Sequence, residues 1–478
     1  MNSKTPFSLG ALLGAVMSMT LAVAGDVRSW ITTEDLRLAS SPQPLLRWTA
    51  GGPASSERPT RRIDIDPANR LQTILGMGAS LEHTTCSNLF RLSPAARAQT
   101  ITRLVDSERG IGMNLMRLCI GTSDFAGEPW YSYDDLPVGA ADPTLSHFSI
   151  EKDRATILPM ARLALRTNPS LLYFASPWSP PGWMKTSGSM IGGELKREWY
   201  PAYAQYFVRF LQAYRAEGIP IYAITVQNEP GVDRARSKDP KWHYPSCHWT
   251  AEQERDFIRD HLGPALKQAG LNTRIWCYDH NYNLEATDES DGLPHPRTIL
   301  EDPVAAGFVD GVAFHHYVGE PDGMSRFHAE FPGKPIRFTE GSVFSVWGGY
   351  DLVQRFRNWA TTYNAWVVML DEKGRPNNGP FPATRAILKL HSDTGRVEEL
   401  FEYHNYGHFM KHVRRGAVRI GSSGSDRDLS NVCFVNPDGS VVLVVVNTTD
   451  TPRQAAVFWK SKSVMLNSPA KSVTTCGW

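Results

Sequence analysis

This sequence lacks an excess of charge of either sign: 50 lysines and arginines face 49 aspartates and glutamates over 478 residues. Without a basic surplus, the chain has no electrostatic footprint of a nucleic-acid binder or of a broad polybasic membrane surface. Cysteine is scarce as well. The six residues Cys86, Cys119, Cys247, Cys277, Cys433 and Cys476 are too scattered to staple a fold, and no C-x-x-C pair gives a zinc signature. Cys119 and Cys277 lie in apolar strand-like runs and read as buried thiols, while a bridge between Cys433 and Cys476 is open to an exported protein. After the N-terminus no run stays apolar for the ~20 residues of a spanning helix, and there is no solenoid repeat or low-complexity tract.

What is present begins at the first residues. Lys4, an apolar stretch over 9–21 and Ala22-Val23-Ala24 before Gly25 have the charge, length and small-residue site of a secretory signal peptide. Residues 1–24 are therefore expected to be removed, leaving a secreted or periplasmic chain with no integral membrane segment. No cysteine follows that site, so no lipid anchor is expected there. The remaining length accommodates one α/β barrel of about 250 residues and a smaller domain.

Two stretches share one design. In Y-A-I-T-V-Q-N-E-P (residues 222–230) an apolar, β-branched run ends in Gln227, Asn228 and Glu229, and Pro230 forbids further ladder pairing. In I-R-F-T-E-G-S (residues 336–342) a similar run ends in Glu340 before Gly341. Each delivers a carboxylate to a strand tip. Strand candidates fall at 74–79, 114–120, 171–176, 222–227, 274–279, 311–317, 336–339 and 365–370, with helical patterns between them. Helix starts are marked by Ser93-Pro94, by Thr250 with Gln253, and by Asp302-Pro303. Eight near-continuous apolar strands alternating with helices predict an α/β fold, a (β/α)8 TIM barrel.

Both chain ends are β-rich. Residues 27–74 read as short strands, with Ile63 and Ile65 alternating with Asp64 and Asp66 before a turn at Pro67-Ala68-Asn69. Residues 413–420, 431–436 and 440–447 read as antiparallel strands around the turn Asn436-Pro437-Asp438-Gly439. The expected division is therefore 1–24 signal peptide, 25–74 N-terminal strands of a side β-sandwich, 75–399 barrel, and 400–478 C-terminal sandwich built with the N-terminal strands.

Barrel active sites lie at the C-terminal strand ends, where Glu229 and Glu340 fall after the fourth and seventh strands. Glycoside hydrolysis needs two carboxyl groups, one to protonate the leaving oxygen and one to attack or to activate water. Structural roles compete: Glu229 could cap a following helix, and Glu340 could pair with Arg337 or Arg117. A metal-dependent barrel hydrolase using His315, His316, Asp279 and His280 is disfavoured by strand alternation, which sends His315 and Tyr317 to one face and His316 to the other. A carbohydrate-binding barrel without catalysis is the alternative from another class. No cofactor or metal is expected.

At these residues the chain resembles glycoside hydrolase family 30, which includes glucosylceramidases, β-1,6-glucanases and xylanases. The resemblance runs from G-M-G-A-S at Gly76 through M-N-L-M-R-L, A-S-P-W-S-P-P-G-W-M-K, Q-N-E-P, H-H-Y and F-T-E-G-S to the Y-H-N-Y-G-H-F-M-K-H stretch at Tyr403. It implies a retaining β-glycosidase with Glu229 as general acid/base and Glu340 as nucleophile, acting on a β-linked carbohydrate or glycolipid. It also implies that Asn228, Asp124, Trp178, His315, Tyr317 and Trp366 face the substrate, with Arg117 supporting the nucleophile. An ionised Glu340 is expected to raise the proton affinity of Glu229. The eighth-strand stretch Asn364-Ala365-Trp366-Val367 and the loop at 371–381 depart from the glucosylceramidase pattern. Glucosylceramide-like or β-glucan-derived β-glucosides are the first expectation, with β-xylosides or xylan and β-1,6-glucan as competitors.

Overall fold

The computed structural model describes residues 25–51, 61–127, 129–282, 294–342, 344–379 and 385–478; the expected signal peptide and the last residues of the 371–381 loop lie outside them. Eight parallel strands form the barrel: Gly76–Ala79, Leu115–Ile120, Leu172–Pro177, Ile221–Thr225, Arg274–Asn281, Val309–His315, Ile336–Glu340 and Thr362–Ala365. The second to seventh pair in sequence order, and the first pairs with the eighth. Isolated parallel bridges Ser80–Arg117, Ile336–Ala360 and Gly341–Ala365 join the two groups into a closed wall. Helices begin at their sequence caps. Ser93 accepts from the Ala96 N–H ahead of Pro94–Val105, Thr250 and Gln253 complete a capping box ahead of Ala251–Phe257, and Asp302 caps Pro303–Phe308.

The barrel interior is graded from apolar to polar. Leu115, Phe174, Ala223, Trp276 and Ala313 form a buried plug toward the strand starts. Two residues further along each of four of these strands, on the same face, stand Arg117, Ser176, Thr225 and His315. The fifth strand breaks the alternation. Tyr278 pairs with Ala313 and His280 with Phe314, so Asp279 is the extra residue of a β-bulge, and both Tyr278 (φ 77°) and Asp279 (φ 60°) adopt left-handed backbone. The bulge turns Asp279 inward where unbroken alternation would have presented Tyr278.

Both chain ends build the side domain. A ten-stranded sheet contains Arg28–Thr33 and Arg61–Thr73 from the N-terminus together with the strands from Val418–Ser422 to Ser472–Gly477. The run V-V-L-V-V-V is apolar on both faces because both are covered. Val441, Leu443 and Val445 fill the sandwich interior, while Val442, Val444 and Val446 join the core shared with the barrel. At roughly 1.5–3 kcal/mol per fully buried aliphatic side chain, this strand contributes strongly to holding the domains together. Helix Phe401–Met410 lies at the junction, its His408 ring held between Thr32 and Thr475 at 2.8 Å on each side.

Three expectations change. The eighth barrel strand spans Thr362–Ala365, whereas residues 365–370 were expected; Met369–Asp371 belongs to a separate sheet with Leu388–His391 and Arg396–Glu399. The apolar run A-W-V-V-M-L covers two short buried strands, because the wall ends where the Trp366 N–H meets the Gly341 carbonyl at 2.9 Å. Pro67-Ala68-Asn69 is no turn. It is a bulge within Arg61–Thr73, where Asp66 pairs with Gly421 and Arg70 with Ile420. Finally, Cys433 and Cys476 each pair with Leu443, from opposite sides. An intervening strand puts them ~9–10 Å apart, beyond the ~7 Å limit for a disulfide, and all six cysteines are free and buried. Among the described residues no helix is long and apolar enough to cross a membrane.

The cysteine arrangement has a direct check. Full-length protein denatured without reductant should titrate six thiols per chain, and dithiothreitol should leave its Tm unchanged; a count short by two would reveal a bridge.

Candidate active site

Arg117 is the central cation of the barrel mouth. It is fully buried, and it donates from Nε to Ser176 Oγ (3.1 Å) and from Nη2 to both Asn228 Oδ1 and Asp279 Oδ2 (2.8 Å each). Its Nη1 donates to Glu340 Oε2. Asp279 gathers the opposite charge. Besides Arg117 it accepts from Ser176 (3.0 Å) and Thr225 (2.7 Å) on Oδ2, and from Thr339 (2.6 Å) and His315 Nε2 (3.0 Å) on Oδ1. Burial opposes its ionisation, but Arg117 and His315 outweigh that and hold its carboxyl well below the usual range.

Glu340 ends the seventh strand and is 5% exposed. Arg117 holds one oxygen, and the Tyr317 hydroxyl donates to the other at 2.8 Å. Arg337, weighed as its partner, points instead to Asp310 at 3.0 Å. Glu229 stands opposite. It adopts left-handed backbone (φ 53°), its N–H is bonded to the Asp279 carbonyl (3.0 Å), and it caps no helix. One oxygen of Glu229, one of Glu340 and a ring nitrogen of His315 lie within 4.8 Å of one another.

The proton balance differs from expectation. Burial pushes the Glu229 carboxyl up, but His315, whose Nδ1 lies 3.6 Å away, outweighs that and pulls it down to about 2, with Arg234 acting in the same direction. His315 moves the other way. Burial disfavours its charge, yet Glu340 and Asp279 raise it to about 9. The pair therefore holds one proton, placed on His315, and the neighbouring imidazole outweighs Glu340 in setting the affinity of Glu229. His280 and His316 are neutral, pushed by burial to about 4 and about 3.

The remaining expected residues are brought to the same mouth. Asn228 is buried, with its oxygen turned to Arg117. Trp178 stacks on Trp366 (centroids 5.2 Å apart, 27°) and lies under the Arg117 guanidinium at 4.7 Å; Phe125 packs edge-on against Trp366. Asp124 sits beside this aromatic wall. Burial, reinforced by Glu340 and Glu229, raises its carboxyl to about 8, so it is neutral at pH 7 and available as a donor. His316 turns outward toward Phe338, as alternation required.

Asp279 as a hub, Ser176, Thr225 and Thr339, and the pair Arg234–Tyr244 (4.7 Å) were not foreseen as site residues. Polar residues at alternate positions of otherwise apolar strands were the available signal. Glu229, His315 and Glu340 are close enough to ligate a cation, but both Glu340 oxygens already accept bonds from Arg117 and Tyr317, and a metal would have to compete with the guanidinium. Paired carboxylates, a proton carrier beside one and a guanidinium on the other suit acid/base and nucleophilic chemistry at one centre.

Residues 74–410 match the glycosyl hydrolase family 30 TIM-barrel domain, and residues 416–476 match that family's β-sandwich domain. The chain is 32% identical to an endo-1,6-β-D-glucanase of Neurospora crassa over 83% of both chains. It is 30% identical to the lysosomal acid glucosylceramidase of Mus musculus, covering 80% of this chain and 77% of that one. A solved endo-β1,6-glucanase superposes with a TM-score of 0.84 at 29% identity, over 95% of this chain and 99% of the other.

Removing Arg117 leaves two buried carboxylates with His315 as the one cation between them. Arg117→Met should cost ~3–5 kcal/mol in chemical denaturation, and adding Asp279→Asn should recover part of that loss. A cost below ~1 kcal/mol would mean that the carboxylates are not held as a buried ion cluster.

Proposed function

The chain belongs to glycoside hydrolase family 30, and from that premise we propose that it is a retaining β-glycosidase that cleaves β-1,6-linked glucan by double displacement. The observation carrying this reading is the approach of the Glu229 and Glu340 carboxylates to within 4.8 Å. That close approach of the nearest oxygens suits direct attack by a carboxylate, for which about 5–5.5 Å between carboxyl groups is typical, better than the about 6.5–9.5 Å of an inverting site.

Glu340 attacks the anomeric carbon. Arg117 and Tyr317 fix the two oxygens of its carboxylate and keep it aimed. Glu229 gives its proton to the leaving oxygen. That proton comes from the His315–Glu229 pair: substrate displaces water from the mouth, the charge-separated form loses solvation, and the proton passes from Nδ1 to the carboxyl. After the glycosyl-enzyme forms, Glu340 is neutral and Glu229 takes a proton from the incoming water. Asn228 and the neutral Asp124 offer hydrogen bonds to sugar hydroxyls, and the Trp178–Trp366 wall supplies the apolar face.

The sugar linkage rests on the glucanase relatives, one of which aligns over nearly the full length of both chains. Glucosylceramide-like β-glucosides are the second reading, on the 30% identity to the mouse enzyme. Asn364 and Ala365 weigh against it. The Asn364 oxygen accepts from Ser80 at 3.0 Å inside the wall, so the polar neighbours that the glucosylceramidase branch carries there are absent from the mouth. Export through a cleaved signal at residues 1–24 suits a polymeric substrate.

A panel of β-1,6-, β-1,3- and β-1,4-glucans, xylan and glucosylceramide should give most turnover on the β-1,6-glucan, with the β-anomer as first product by NMR. An α-anomer would contradict the double displacement. Glu340→Gln should abolish turnover, whereas azide should partly rescue Glu229→Gln on an activated aryl β-glucoside; full activity of Glu340→Gln overturns the nucleophile.

The shared proton predicts a pH signature. In the wild type His315 retains the proton up to about pH 9, so the alkaline limb of kcat/KM lies high. In His315→Gln only Glu229 can hold it, and a lone carboxyl, even raised by burial and Glu340, loses it earlier. The alkaline limb should fall by about one pH unit or more; an unmoved limb would exclude His315 as the proton's resting place.

A further inference from the structure

The barrel end away from the two glutamates holds a second cavity. Its volume is about 560 Å3, and it lies between the starts of the first, seventh and eighth strands and the sandwich, with Gln72, Lys334, Arg337, Trp359, Thr361 and Arg415 in its walls. No aspartate or glutamate lines it.

Most cations around this space have neutral partners. Lys334 donates to the carbonyls of Ala306 and Val309 (2.7 Å each), which it reaches at the end of helix Pro303–Phe308. Arg415 commits Nε, Nη1 and Nη2 to the carbonyls of Leu75, Ser170 and Asn114. Behind the wall, Arg419 donates to Gln72 Oε1 (2.8 Å) and lies 5.6 Å over the Trp359 ring. Among the described residues no carboxylate lies within ion-pair distance of these three. Arg337 reaches Asp310, but that carboxylate is shared with Arg274 (3.2 Å), and the Arg337 Nε is buried with no partner on a side chain whose residue is 7% exposed.

Carbonyl oxygens satisfy N–H groups without neutralising them. Four guanidinium or ammonium groups thus share this region with one carboxylate between them, and burial holds Arg415 and Arg419 below their ordinary range. We propose that the cavity binds a small organic anion bearing a phosphate or carboxylate group. An oxyanion would accept the free N–H groups of Lys334 and Arg415, in charge-assisted bonds roughly twice as strong as neutral ones. The volume falls in the ~300–1,000 Å3 range of ligand sites and exceeds what a bare ion fills. The His328–Trp359 stack (3.7 Å, 25°) gives the rest of the ligand a flat wall. The site is independent of the reaction at the other barrel end.

The test titrates the full-length protein with inorganic phosphate and, separately, with citrate by isothermal calorimetry at matched low ionic strength. One saturable site is expected for at least one of them: phosphate alone identifies a phosphoryl ligand, citrate alone a carboxylate one, and both an oxyanion of either kind. Lys334→Gln should weaken it by about tenfold. Because Lys334 also anchors backbone, a second variant keeps every cation in place. Gly333 has ordinary backbone and open space around its Cβ position, so Gly333→Glu can supply a carboxylate at the cavity edge. It should abolish anion binding while retaining or raising Tm. No saturable binding to wild type, or undiminished binding to Gly333→Glu, overturns the proposal.

Discussion

The buried pair of Arg117 and Asp279 is the constraint on which the catalytic end of this barrel depends. Neither group can be removed alone. Arg117 without Asp279 would be a guanidinium facing only Glu340 and neutral groups, and Asp279 without Arg117 a fully buried carboxylate with His315 as its one charged partner. Held together, they organise strands far apart in sequence: the second through Arg117, the third through Ser176, the fourth through Thr225, the fifth through Asp279, the sixth through His315 and the seventh through Thr339. A salt bridge in such a place is costly against apolar packing, but it fixes six strand ends to one another. Glu340 and Asn228 then inherit their positions from the same guanidinium.

That arrangement also fixes where charge and protons reside. Asp279 is held ionised by five donors and in turn favours a protonated His315 at 3.0 Å. The imidazolium faces Glu229 and draws that carboxylate into its ionised form. The two glutamates alone predict a raised Glu229, since two carboxylates repel. The third ionisable partner reverses the sign. Its influence was absent from the sequence reasoning because the imidazole reaches Glu229 through the fold, 86 positions away along the chain.

The parts of this molecule that were legible in the sequence are those with a local physical cause. Strand runs with a polar tip, capping residues before helices, and β-branched runs at both ends gave the barrel, its order and the shared side domain. What was illegible required knowledge of register. The 365–370 run was apolar throughout, and nothing in it marks Ala365 as the end of one strand and Met369 as the start of another. Cys433 and Cys476 were close in topology but separated by the strand carrying Leu443. Asp279 is the sharpest case. Strict alternation from Trp276 points Tyr278 inward, and only the bulge, a single extra residue, exchanges the two.

The same grading of the interior explains why chemistry sits at one end and not the other. Leu115, Phe174, Ala223, Trp276 and Ala313 fill the lower barrel with side chains that need no partners, which blocks water from passing between the ends. Above it, opposite charges are matched within one cluster and shaped around a substrate. Below it, where the first, seventh and eighth strands meet the sandwich, Lys334 and Arg415 are satisfied by backbone carbonyls, and Asp310 is the one carboxylate paired with Arg337. The seventh strand spans both environments, with Arg337 near its start and Glu340 at its tip, so one five-residue strand links a compensated charge cluster to an uncompensated one. The apolar plug is therefore part of the site's design: it supplies, with no polar group of its own to satisfy, the floor on which Arg117, Ser176, Thr225 and His315 stand.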